Sequence, residues 1–165
     1  MGGVLSRVYS MLQADTKEKP FDWVESLTKE LAVLINCSLE EKTVELLASK
    51  DIVYICDTVL KQAKITEKGH RELIGRCLNI LAKVGKNERA QEQMVNSKTI
   101  LITALLYYGS DDVELAKQSL LTLHSCFKKA DFSEVCLNTH KFSTTAFDSF
   151  VKQSITKYTK ASEEE

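Results

Sequence analysis

Apolar residues recur along this chain at steps of three and four, the spacing of one face of an α-helix, and no sustained alternation of the kind that marks a strand interrupts them. Val4, Leu5, Val8, Met11 and Leu12 share a face, and a polar stretch around the single proline, residues 15–20, ends that segment. Phe21, Val24, Leu27, Leu31, Leu34 and Ile35 mark a second helix with the broad apolar stripe of a core element. Ser38 followed by Glu41 has the form of a capping box, opening a third helix with Val44, Leu46 and Leu47 inside. Asp51 is placed to cap a fourth, in which Ile52, Val53, Ile55, Cys56, Val59 and Leu60 leave little polar face. Beyond a polar turn and Gly69 comes an amphipathic helix with Leu73, Ile74, Cys77, Leu78, Leu81 and Val84.

The order then starts again. Residues 87–97 form a short polar helix carrying Met94 and Val95, and residues 99–108 an apolar one. Asp111 and Asp112 cap a longer helix with Val113, Leu115, Leu120, Leu121, Leu123 and Phe127. Weaker helices follow around 132–137 and 147–155, and an acidic tail, 158–165, is expected to be disordered. Residues 45–53 overlay 93–101 at an offset of 48, matching the Ser-Lys pair and its apolar neighbours. Glu72, Leu73, Leu78 and Leu81 overlay Glu114, Leu115, Leu120 and Leu123 at an offset of 42. A short, a buried and a long helix in each unit has the size of an armadillo or HEAT repeat. The middle helix is the most apolar because neighbouring units sandwich it. The expected architecture is all-α, a right-handed superhelical solenoid. One domain covers residues 1–157: a partial repeat at 1–37, repeats at about 38–86 and 87–130, and an irregular cap at 131–157.

The segments GVLSR (3–7), VELLASKDIV with a middle helix ending TVLK, and RCLNILA resemble the armadillo-repeat half of the tetratricopeptide repeat protein 12 family, over roughly residues 3–137. That resemblance implies a cytoplasmic protein that helps assemble axonemal dynein arms beside chaperones. The chain carries no tetratricopeptide unit, so chaperone-tail binding is not carried over. It fits either a C-terminal fragment or a short product of such a protein.

Charge narrows the partner classes. Twenty-two basic and 23 acidic residues give a net charge of −1, whereas nucleic-acid binding draws most of its affinity from a basic excess. Proteins are therefore the expected partners, with dynein-arm subunits or chaperones suggested by the resemblance. Neither nucleic acid nor a small-molecule substrate is expected. Five scattered Cys without a CxxC pair suit a reducing compartment, and no apolar run is long enough to cross a bilayer, so a cytoplasmic location is expected. Gly2, Gly3, Gly69, Gly75, Gly85 and Gly109 compose neither a dinucleotide fingerprint nor a P-loop. With no GxSxG or HExxH either, a non-catalytic protein without a cofactor is expected.

Three features could still carry chemistry. Met1-Gly2-Gly3-Val4-Leu5-Ser6 fits an acylation signal at Gly2, which would make the chain a membrane-recruited regulatory adaptor, the alternative to an interaction scaffold. Cys136 and His140 stand one helical turn apart, but His124 and Cys126 fall on different faces of their helix, so no metal site is expected. The third helices would line a concave groove. Asparagines that hold a peptide backbone would be expected two residues after the last core leucine, where Asn36, Lys83 and Ser125 stand; one Asn in three is no ladder. Arg71, Arg76, Lys83, Lys117 and Lys128 offer a basic strip for an acidic partner, with Arg76 and Lys83 on one broad face. At the amino-terminal end, Val4, Val8 and Leu12 are candidates to meet a missing neighbour.

Overall fold

The computed structural model describes residues 2–14, 22–63 and 67–128, and within them there are eight helices and no strand. They are α1 (Gly2–Gln13), α2 (Trp23–Cys37), α3 (Glu41–Ser49), α4 (Ile52–Gln62), α5 (Lys68–Val84), α6 (Glu88–Val95), α7 (Lys98–Tyr107) and α8 (Val113–Phe127). All belong to one compact unit, residues 1–129. The helices expected around 132–137 and 147–155, the cap at 131–157 and the tail at 158–165 lie outside the described residues.

Helices three apart in the chain pack on each other: α1 on α4, α2 on α5, α4 on α7 and α5 on α8. The widest contacts run through α5, which lies between α2 and α8. Its stripe of Leu73, Ile74, Cys77, Leu78, Ile80, Leu81 and Val84 is fully buried. Burying each such side chain stabilises the fold by about 1.5–3 kcal/mol. α4 buries Ile52, Val53, Ile55, Cys56, Val59 and Leu60, as its all-round apolar pattern requires. α7 is the most apolar helix and packs on α4, α6 and α8.

Several expectations are corrected. Val4, Val8 and Leu12 do not wait for a neighbour: α1 lies on α2 and α4, and all three are buried within the chain. A paired hydrogen bond fixes α1 further, with Arg7 Nε and Nη2 donating to the two Glu30 carboxylate oxygens at 2.7 and 3.1 Å. Ser38 does not open a capping box. Its hydroxyl donates back to the Ile35 carbonyl at 2.7 Å, so it closes α2, while Glu40 precedes α3 without a side-chain cap. Asp51 precedes α4 but its carboxylate does not cap it either. The residue sits at φ 56°, in the left-handed region, and its carboxylate accepts from Arg89 and Gln93 of α6. Leu46 is 44% exposed, because α3 spans only nine residues and buries Val44, Leu47 and Ala48 instead.

The largest correction concerns α8. Val113 is 79% exposed, Leu121 is 41% exposed and Leu120 is half-buried, whereas Ser119, Thr122 and Ser125 are buried. Each hydroxyl donates to a carbonyl one turn back in its own helix, to Leu115, Gln118 and Leu121 respectively. That internal pairing removes the desolvation cost of burying an unpaired hydroxyl. Small side chains then let α8 approach α5 closely, and Thr122 Oγ1 also reaches the Leu78 carbonyl at 3.3 Å.

Candidate functional site

Along α5 the packing changes from tight to open. At its C-terminal end, a Cβ built on Gly85 would lie 2.6 Å from Ser125 Cβ and closer still to its hydroxyl. Gly85 has an ordinary helical φ, −62°, so the close approach of α8 and not backbone conformation requires glycine. The Gln91 amide donates to the Gly85 carbonyl at 2.6 Å inside this seam. Lys83 donates to the Ile35 carbonyl at 3.2 Å, linking α5 to the carboxyl end of α2, and burial lowers its pKa.

Toward its N-terminal end α5 parts from α8, leaving an open cleft of about 430 Å³. One wall is Arg71, Glu72, Gly75, Arg76 and Asn79 of α5. The other is Glu114, Leu115 and Gln118 of α8 with Asp112, whose carboxylate caps that helix by accepting from the Leu115 N–H at 3.1 Å. Gly75 lies in the helix interior, where glycine costs roughly 0.5–1 kcal/mol relative to alanine. A Cβ there would meet Leu115 Cδ1 at 3.7 Å, an ordinary contact, so packing does not demand this glycine. Its absent side chain keeps the cleft open.

Two buried atoms on the cleft residues lack hydrogen-bond partners: Arg76 Nε, a donor, and Asn79 Oδ1, an acceptor. They stand three residues apart on α5 and so are surface neighbours. Buried polar groups are nearly always paired, which makes this unmet donor and acceptor the most informative feature of the cleft. Arg76 binds Glu72 through its terminal Nη2 at 3.2 Å, leaving Nε unused. Arg71 is exposed, and its charge acts on Tyr107, whose phenol burial pushes up.

The structure brings two members of the expected basic strip, Arg71 and Arg76, to the cleft. Lys83 instead meets α2, so it does not share the cleft-lining face with Arg76. Lys117 is exposed on α8, Lys128 is exposed just past its end, and Asn36 is exposed near the end of α2; none lines the cleft. Gly2 is the first residue of α1 and is likewise not a cleft residue. Asn79 was missed, because the expected asparagine register falls four residues later, at Lys83. Its i+3 spacing from Arg71-side neighbour Arg76 and i+4 spacing from Gly75 are the signals that place it on the cleft face.

A second cavity of about 730 Å³ lies on the α2 side of α5, lined in part by Asp22, Glu25, Lys29, Glu67 and His70, and Glu72 belongs to both. There Trp23 and His70 meet edge to face with ring centres 5.7 Å apart. Among the described residues, no three His, Cys, Asp or Glu side chains come together as a metal site would need. His124 is exposed and Cys126 buried, so they do face opposite ways; burial pushes the Cys126 thiol up to about 12. Cys136 and His140 lie outside the described residues. Among the described residues, no helix is long and apolar enough to cross a membrane. No family model, no curated protein and no solved structure matches this chain.

Proposed function

We propose that the chain is a non-catalytic protein-interaction scaffold that receives an extended segment of another protein in the cleft between α5 and α8. In this reading the helices form a right-handed superhelical stack of armadillo- or HEAT-like repeats, with α2, α5 and α8 as its lining helices. The packing of helices three apart supports that arrangement. The observation that carries the binding role is the unmet pair of Arg76 Nε and Asn79 Oδ1. A peptide group offers a carbonyl acceptor and an N–H donor together, which is what the two atoms lack. The sequence resemblance makes an assembly factor for axonemal dynein arms, working in the cytoplasm, the biological setting of this proposal.

Filling the cleft tests it. Gly75→Leu would place a side chain where Leu115 now borders open space, and Asn79→Leu would remove the unmet acceptor. Proximity labelling from ciliated cells, scored for dynein chains and chaperones, should lose its specific partners with either variant. Melting temperatures would establish that both variants stay folded. Equal labelling by folded wild type and both variants would remove the cleft from consideration.

A further inference from the structure

We infer that the segment received in the cleft is basic, an extended stretch bearing Lys or Arg side chains. This rests on the peptide-binding reading and adds the charge of the partner. The two cavities flanking the N-terminal half of α5 share Glu72. Around that shared residue stand Asp112 and Glu114 on the α8 side, and Asp22, Glu25 and Glu67 on the α2 side.

The cations in the same linings are largely occupied. Lys29 binds Glu25 at 2.7 Å, and Arg76 binds Glu72 at 3.2 Å. Lys83, which could have extended a positive strip, is turned to the Ile35 carbonyl. Asp22, Asp112 and Glu114 have no cation within ion-pair distance among the described residues.

Position at a helix start accounts for some of these acids, since the helix dipole favours negative charge there, and Asp112 is used as a cap. It does not account for Asn79, which stands further along α5 and presents a buried oxygen without a donor. The groups of the cleft left without a partner are thus the Glu114 carboxylate and the Asn79 amide oxygen, beside Arg76 Nε and the exposed Arg71 guanidinium. Across the two cavities Asp22, Glu25, Glu67, Glu72, Asp112 and Glu114 outnumber Lys29, Arg71 and Arg76, so negative charge prevails and a ligand rich in cationic N–H donors complements it.

Fluorescence anisotropy of the full chain tests this with labelled peptides of alanine and glycine carrying four arginines, four glutamates or four glutamines. The arginine peptide should bind about tenfold more tightly than the glutamate peptide, with the gap shrinking as salt screens it. Asp22→Lys combined with Glu114→Lys should weaken arginine-peptide binding about fivefold or more and strengthen the glutamate peptide. Neither residue makes an ion pair and Asp22 makes no side-chain cap, so the melting temperature should fall only slightly, by the loss of a favourable charge at the start of α2 and of α8. Equal or tighter binding of the glutamate peptide, unchanged arginine-peptide binding in the double variant, or no binding of the arginine peptide would each overturn the inference. Glutamine-peptide binding as tight as the arginine peptide's, and abolished by Asn79→Leu, would overturn the charge preference while leaving the peptide-binding reading intact.

Discussion

Two glycines ten residues apart in the α5 region make opposite demands. Gly85 is glycine because Ser125 of α8 occupies the space of a side chain, whereas Gly75 has room for a Cβ and borders open space. Where the first stands, Gln91, Thr122 and Lys83 join neighbouring segments through backbone carbonyls. Where the second stands, polar atoms of α5 are left without partners. The same residue type therefore marks a seam at the end of the helix and a vacancy at its middle. A glycine inside a helix acquires meaning only from what faces it.

That contrast can be broken by substitution. The largest effect should come from the seam: Leu78→Ala removes a fully buried side chain next to Thr122 and should destabilise the protein by about 2–5 kcal/mol in chemical denaturation. Gly85→Ala should follow, at about 1–3 kcal/mol, since helix propensity favours alanine but Ser125 Oγ and Cβ must shift, and the Leu81 carbonyl is close as well. Leu120→Ala, 42 residues beyond Leu78, should cost about 1 kcal/mol or less, because Leu120 is half-buried. A loss equal to that of Leu78→Ala would mean that α5 and α8 bury these two positions alike after all. Gly75→Ala should reverse the sign and stabilise by about 0.5–1 kcal/mol, having helix propensity to gain and no clash to meet. Destabilisation by Gly75→Ala would erase the distinction between the two glycines.

Alkylation at neutral pH sharpens the comparison without measuring stability. Cys37 is partly exposed and should be modified in the folded protein, while the buried thiols of Cys56, Cys77 and Cys126 should be protected. Burial holds the Cys77 and Cys126 pKa values far above neutral, so little thiolate forms there. Gly85→Ala should expose Cys126, which adjoins Ser125, to faster modification. Peptide mapping would resolve the sites.

The helices were legible because their apolar spacing reports directly on which face is buried: α4 and α5 follow it residue by residue, and α2 from Leu27 to Ile35, with Val24 half-buried and Phe21 outside the described residues. Caps were legible where the competition was local. Asp112 accepts from the N–H three residues on, as expected of a cap; Asn87 and Ser97 cap α6 and α7 in the same way, beyond the caps the sequence had marked. Caps were misread where another partner competed: Ser38 is drawn to the preceding turn and Asp51 to α6. The buried face of α8 was hidden because Ser119, Thr122 and Ser125 satisfy their hydroxyls within the helix, a property hydropathy does not register. The cleft was half legible. Arg71 and Arg76 follow from the amphipathic pattern, but the diversion of Lys83 to Ile35 depends on a contact 48 residues away. The importance of Asn79 depends on a separation between helices that spacing along one chain cannot encode.

The seam also governs which inherited changes the chain can tolerate. Every missense change at a glycine codon adds at least one carbon, so Gly85 has no harmless single-step neighbour as long as Ser125 stays in place. A serine codon of the AGY type reaches glycine by one base change, and Ser125→Gly would vacate the space that an alanine at position 85 needs. The order of events then matters: a lineage that first lost the Ser125 side chain could later accept Gly85→Ala, while the reverse order passes through the strained intermediate. Related chains should therefore carry glycine at one of these two positions, and rarely a larger residue at both.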